Sequence, residues 1–91
     1  MRNPNQAVEE LTLILMYLTR YNETLIPGYP DDIRSLKGYS FSAINKLAND
    51  ELIYQGKHPS KSKYISFSDE GIQRAQELLN EYNIADWKNG E

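Results

Sequence analysis

Apolar residues recur every three to four positions in the first part of the chain, which is the spacing of one face of a helix. Asn3 and Pro4 supply a capping side chain and a residue suited to the first helical turn. The pattern therefore predicts a first helix over residues 4–21. Its buried face is predicted to consist of Val8, Leu11, Ile14, Leu15, Leu18 and Tyr21.

The opposite side of this helix is also apolar, since it carries Leu13, Met16 and Tyr17. A surface helix is polar on its outer side, and an exposed apolar strip is unusual in a monomer. We therefore expect these three residues to form the interface of a two-fold homodimer, together with the last helix and Trp87. The alternative is a helix that is covered on both sides within one chain.

Two more helices are predicted in the middle of the chain, over residues 33–37 and 41–50. Gly38 suits the end of the first of them, and Ser40 suits the N-cap of the second. Two helices joined by a short turn predict a helix-turn-helix over residues 31–50.

A β-hairpin is predicted next, over residues 51–67, because two short apolar runs flank the polar and basic loop QGKHPSKSK. Ser68 then caps a last helix over residues 69–84, and residues 85–91 form a tail. The prediction is a mainly α protein with one hairpin, in the α+β class and in a single domain over residues 1–91. Its core is expected to contain Leu11, Ile14, Leu18, Phe41, Ile44, Leu47, Ile65, Phe67, Ile72 and Leu78.

Composition narrows the range of functions. The 91 residues include no cysteine and one histidine, His58, which leaves few metal ligands and no thiol for catalysis. No catalytic residue, metal or cofactor is therefore expected, and the protein is not expected to be an enzyme. The apolar run from Leu11 to Leu18 is far shorter than the roughly 20 residues that span a bilayer, so no membrane contact is expected and we predict a cytoplasmic location.

Charge is distributed unevenly along the chain. The formal net charge is −3, but residues 33–64 hold six basic and two acidic side chains, a local net charge of +4. A basic segment in an acidic protein indicates a surface that faces a polyanion.

Two junctions in the sequence resemble those of winged helix-turn-helix regulators of the PadR-like and MarR-like kinds. Residues 47–53, with the sequence LANDELI, are similar to the join between the recognition helix and the first strand of the wing. Residues 65–71, with the sequence ISFSDEG, are similar to the join between the second wing strand and the final helix. The resemblance implies that helix 41–50 enters the major groove of DNA and that the hairpin loop follows the backbone or the minor groove.

A closer likeness is to a family of small, uncharacterised bacterial proteins. It rests on the leucine-rich segment from Leu11 to Thr19 and on the sequence KGYSF at residues 37–41. This likeness implies a fold and no particular activity.

The winged-helix resemblance implies a transcriptional regulator that binds double-stranded DNA as a homodimer. The alternative is a winged-helix module that binds another protein and no nucleic acid. The acidic total charge and the absence of arginine from helix 41–50 and from the hairpin loop favour that alternative. The residues expected to contact DNA are Arg34, Lys37, Ser42, Asn45, Lys46, Asn49, Lys57, Lys61 and Lys63.

Overall fold

The computed structural model describes residues 1–87, which form three helices and a four-stranded antiparallel sheet. The α+β class and the hairpin are thereby confirmed. Part of the predicted tail, residues 88–91, lies outside the described residues. The elements are α1 (Pro4–Leu18), β1 (Tyr21–Glu23), β2 (Asp32–Leu36), α2 (Phe41–Asn49), β3 (Ile53–Tyr54), β4 (Tyr64–Phe67) and α3 (Asp69–Glu81).

Each helix begins at a side chain that satisfies a free backbone N–H of the first turn. The caps are the residues that the sequence predicts, and all three are confirmed. The hydrogen bonds run from the Gln6 amide to Asn3 Oδ1 at 2.7 Å, from the Ala43 amide to Ser40 Oγ at 3.3 Å, and from the Gly71 amide to Ser68 Oγ at 2.9 Å.

The C-terminal ends of α2 and α3 share one backbone arrangement, the Schellman motif. After α2, Glu51 adopts a left-handed φ of 63°, and the amide of Leu52 donates to the carbonyl of Leu47 at 3.0 Å. After α3, Asn83 takes the same position with a φ of 58°. The left-handed residue reverses the chain direction, which is why α3 stops short of the predicted end at residue 84.

The predicted helix over residues 33–37 is wrong, because residues 33–36 belong to strand β2. It pairs with β1 on one side and with β4 on the other, and the sheet order is β1-β2-β4-β3. Ser35 points inward and is 1% exposed, and its hydroxyl lies 3.1 Å from Thr19 Oγ1. The helix-turn-helix over residues 31–50 is therefore not formed, and α2 is its one helical part.

The predicted first helix also ends earlier than expected, at Leu18 rather than at residue 21. Thr19 closes the helix, with its hydroxyl donating to the Leu15 carbonyl at 2.7 Å. Tyr21 then starts β1, where it lies opposite Arg34 of β2.

The helices cover one face of the sheet, and the opposite face is open. Inward-facing side chains alternate along the strands with outward-facing ones such as Tyr54, which is 58% exposed, and Leu36, which is 65% exposed. We call this open side the outer face. The largest fully buried hydrophobic side chains are those of Leu13, Met16, Ile44, Ile53, Ile65 and Leu78.

The predicted buried face of α1 is correct in part: Ile14 is buried and Leu18 packs against the core, whereas Val8, Leu11 and Leu15 are exposed. Leu13, Met16 and Tyr17 are buried inside the single chain, with at most 3% of each side chain exposed. Both α2 and α3 pack against this side of α1, so its large residues fill the centre of the molecule. The exposed side of α1 carries an apolar strip, which we call the α1 strip: Val8, Leu11 and Leu15.

Candidate functional site

The loop between β3 and β4 presents three lysines to solvent. Lys57, Lys61 and Lys63 are all exposed. The loop closes on the carbonyl of His58, which accepts hydrogen bonds from the amides of Lys61 and Ser62 at 2.9 and 3.1 Å. These side chains, together with Tyr64 of β4, line a groove of about 500 Å³, which we call the lysine groove.

Lys37 joins this loop although it lies twenty residues and more away in the chain. Its amide donates to the carbonyl of Lys63 at 2.9 Å, and its Nζ donates to the carbonyl of Pro59 at 2.7 Å. The residue that follows β2 and the hairpin loop are thereby held side by side. The four lysines predicted at residues 37, 57, 61 and 63 are brought to one edge of the molecule.

A second groove, of about 420 Å³, lies between this loop and the start of α2. We call it the phenylalanine groove, since Phe41 lines it beside Leu36, Lys37 and Lys63. The prediction that Phe41 lies in the core is wrong, because its side chain is 74% exposed. It stands in the first turn of α2, where the helix turns Ala43 and Ile44 inward and leaves Phe41 facing the loop.

The basic residues divide into two groups by their partners. Five of them are bound to carboxylates: Arg2 and Arg74 to Glu10, Arg20 to Asp86, Arg34 to Asp32, and Lys46 to Asp50. Within residues 1–87, no carboxylate lies in ion-pairing distance of Lys37, Lys57, Lys61 or Lys63. Among the described Lys and Arg side chains, the positive charge without a carboxylate partner is therefore concentrated on the edge that holds the two grooves.

Arg34 lies near this edge and is engaged within the sheet. Its Nε donates to Asp32 Oδ2 at 2.7 Å, and its guanidinium lies 3.9 Å from the centroid of the Tyr64 ring. The hydrogen bond to Asp32 raises the pKa of Arg34. Ser66 donates to the same Asp32 oxygen at 2.7 Å. Arg34 thus holds Asp32 and the Tyr64 ring in place on the outer face, and its charge is already paired with a carboxylate.

The predicted recognition helix keeps an exposed polar face, but much of that face is already paired. Lys46 Nζ donates to the two carboxylate oxygens of Asp50 at 2.7 and 3.0 Å, and this bond raises the pKa of Lys46. Asn45 Oδ1 accepts from Gln55 Nε2 at 3.1 Å, which ties α2 to the hairpin. Ser42 and Asn49 are exposed.

The predicted dimer residues fall in two different places. Leu13, Met16 and Tyr17 are in the core, so their assignment to an interface is wrong. Trp87 is on the surface, 66% exposed, with its indole N–H donating to the carbonyl of Leu18 at 2.6 Å. The neighbouring Asp86 binds Arg20 through both of its oxygens, at 3.1 and 3.0 Å.

A buried carboxylate that sequence reasoning missed is that of Glu10, 7% exposed. Arg2, Arg74 and the hydroxyl of Tyr82 all donate to it. Burial raises the pKa of Glu10, but the hydrogen bonds from Tyr82 and Arg2 and the two positive charges outweigh burial and lower it overall. The one sequence feature that could have indicated its burial is its position on the side of α1 that carries Leu13 and Tyr17. Because its partners Arg2, Arg74 and Tyr82 all belong to the same chain, we assign Glu10 a structural role.

Neither metal binding nor membrane insertion is indicated in the described part of the chain. Residues 1–87 contain no group of three His, Cys, Asp or Glu side chains arranged to hold a metal ion. They also contain no helix with the length and apolar character needed to cross a membrane.

Comparison with known proteins adds a family and no activity. The model of a family described as a domain of unknown function, DUF6429, matches residues 4–85. The chain belongs to the DUF6429 family. No curated protein and no solved structure matches this DUF6429 chain. The likeness to a small uncharacterised family is thus supported at this level, and the family model does not point to PadR-like or MarR-like regulators.

Proposed function

We propose that this DUF6429 protein is a non-catalytic DNA-binding protein whose hairpin loop contacts the phosphate backbone. The observation that carries the proposal is the set of four lysines without carboxylate partners at one edge. The remaining described Lys and Arg side chains are all bound to carboxylates, and the chain is acidic in total. A polyanion is therefore attracted to this edge and repelled elsewhere, which orients it before contact.

The structure changes which residues carry the proposed binding. Lys37, Lys57, Lys61 and Lys63 are available for phosphate, whereas Arg34 and Lys46 are held by Asp32 and Asp50. The missing helix-turn-helix also removes the support that such a motif gives to a recognition helix. We therefore assign the affinity for phosphate to the hairpin loop and to Lys37. On α2, Ser42 and Asn49 are the residues that can form hydrogen bonds with bases. The proposal includes that the protein binds DNA in the cytoplasm and thereby regulates transcription.

The test is a titration followed by fluorescence anisotropy. The full chain is added to a labelled duplex of about 20 base pairs, and to one of its single strands, between about 50 and 200 mM salt. Replacing Lys57, Lys61 and Lys63 with Ala removes up to three phosphate contacts. The log–log salt slope should then become less steep by up to about 2.7 on the duplex and about 2.1 on the single strand.

A matched control is available on the neighbouring helix. Lys46→Ala removes a lysine that is already neutralised by Asp50, so it should leave the slope unchanged. Lys63→Ala, a single change of the same kind, should reduce the slope. Absence of binding to both forms of DNA at about 50 mM salt, or equal effects of Lys46→Ala and Lys63→Ala, would contradict the proposal.

A protein-interaction module is the second candidate, and the α1 strip favours it. Val8, Leu11 and Leu15 are each between 43% and 49% exposed on one helical face. Contiguous apolar residues of this kind mark interaction surfaces in soluble proteins. The homodimer stays a prediction, now with the α1 strip as its candidate interface in place of the buried residues.

A further inference from the structure

The lysines without carboxylate partners are accompanied by apolar and aromatic side chains. Phe41 is 74% exposed and Leu36 is 65% exposed, and both line the phenylalanine groove with Lys37 and Lys63. Tyr64 lines the lysine groove. A phosphate-binding edge needs only the lysines, so these apolar surfaces call for a ligand that also carries flat apolar groups.

The two grooves are parts of one surface. Ser62 and Lys63 line both of them. On the outer face, Leu36 of β2 lies opposite Tyr64 of β4. Leu36 lines the phenylalanine groove and Tyr64 lines the lysine groove, so the two grooves are also neighbours on this face. The Tyr64 ring is held in place by the guanidinium of Arg34 at 3.9 Å. A ligand that follows the loop thus meets Phe41 on one side and Tyr64 on the other.

We propose that the two grooves together bind single-stranded nucleic acid. The phosphates lie on Lys37, Lys57, Lys61 and Lys63, and unpaired bases stack on Phe41 and Tyr64. This inference rests on the proposed function and deepens it by naming the form of nucleic acid. Stacking on an aromatic side chain requires an accessible base face, which a single strand offers and a closed duplex hides.

Charge complementarity decides between this ligand and an apolar protein segment. Residues 52–67 contain three lysines and no acidic side chain, and Lys37 adds a fourth positive charge at the grooves. The complementary ligand must be a polyanion with planar apolar groups at short intervals, which is the chemistry of a single strand. DNA and RNA share this chemistry, and the test includes both.

The experiment compares four probes bound by the full chain: single-stranded oligothymidylate, oligouridylate of equal length, a duplex of equal length, and heparin as a polyanion without bases. The single strands should bind more tightly than the duplex. Phe41→Ala should weaken binding of the single strands about 5- to 160-fold, since this is the range for loss of one stacked base. The affinity for heparin should stay the same, and Phe41→Trp should restore binding of the single strands.

Tyr29→Ala provides the matched control. Tyr29 is 68% exposed and lines neither groove, so its loss should change none of the affinities. Both substitutions remove exposed side chains, and an unchanged far-UV circular dichroism spectrum verifies that the fold is intact. Preference for oligothymidylate or oligouridylate identifies which single strand the surface favours, and either result supports the proposal.

The outcomes separate this inference from the proposed function. If the lysine variants weaken binding while Phe41→Ala behaves like Tyr29→Ala, the stacking inference is wrong and phosphate binding stands. Duplex binding as tight as single-strand binding likewise overturns the inference alone. If the wild-type chain binds neither oligonucleotides nor heparin, the proposed function and the inference both fall.

Discussion

Replacing Gly71 with Ala should destabilise the protein, although Ala is the better helix former. A Cβ at Gly71 would lie 1.9 Å from the carbonyl oxygen of Leu52 and 2.8 Å from its carbonyl carbon. Real Cβ atoms stay at least 3.0 Å from such neighbours, so α3 and the start of the hairpin must separate by about 1 Å. The clashing atoms of Leu52 belong to the backbone, so a change of side-chain rotamer cannot relieve the clash.

The magnitude follows from what this separation disrupts. The Leu52 carbonyl accepts from the amide of Ser68 at 3.1 Å and lies 3.0 Å from its hydroxyl, which also caps α3. Overpacking costs about 1–3 kcal/mol, and a weakened cap costs about 1 kcal/mol. The higher helix propensity of Ala returns at most about 1 kcal/mol. The expected loss is about 1–3 kcal/mol, or about 5–20 °C in Tm.

Urea denaturation followed by far-UV circular dichroism measures this loss. Gly38→Ala is the control, because a Cβ at Gly38 meets nothing within 4 Å, and its effect should stay within about 0.5 kcal/mol. A Gly71→Ala variant that is as stable as the wild type, or more stable, would refute the reasoning that the two backbone segments are in contact.

Three further substitutions test the buried carboxylate and the helix ends. Glu10→Gln should lower the free energy of unfolding by about 1–3 kcal/mol at neutral pH, since the carboxylate accepts bonds from charged groups. The folded state lowers the pKa of Glu10, so this difference from wild type should be complete above the unfolded value of about 4.3 and vanish as pH falls through the folded value. A difference that persists at lower pH would contradict the ionic origin. Glu51→Gly should raise the free energy of unfolding by about 0.5–1 kcal/mol, because glycine adopts the left-handed φ of 63° without strain. In urea denaturation this gain appears as a higher midpoint at an unchanged m-value. Asn83→Gly should gain less, since asparagine tolerates that conformation better; an equal or larger gain would argue against the explanation.

The elements that local chemistry defines were predictable from sequence. Asn3, Ser40 and Ser68 each combine a capping side chain with a following apolar period, and each begins a helix. The hairpin follows from alternating residues around a glycine- and proline-containing loop. These signals act within a few residues, so the rest of the chain does not alter them.

Strand β2 was not predictable in the same way, because one of its two partners, β4, is distant in the chain. Arg34 pairs with Ser66, and one inward position of the strand is the small polar Ser35. A segment with so little apolar alternation has no local strand signal. Its charged residues next to Gly38 resemble a short helix, and the pairing with β1 and β4 overrides that pattern.

The sides of α1 posed a different problem. Both sides are apolar, so periodicity identifies the helix but not the side that faces the core. The side with Leu11 and Leu15 contains more leucine, yet α2 and α3 pack against the side with Leu13 and Met16. The same limit applies to the site. The lysines were identified from sequence, whereas their freedom from carboxylates and the exposure of Phe41 depend on the packing of the whole chain.

Trp87 makes the end of the described chain optically visible. It is the protein's only tryptophan, and it is attached to the end of α1 through Leu18 rather than buried in the core. Its fluorescence therefore reports the attachment of this segment, whereas circular dichroism reports the helices. The two signals coincide in a denaturation experiment only when both parts unfold in one cooperative step. An earlier change in fluorescence measures the local free energy that holds the C-terminal segment against α1.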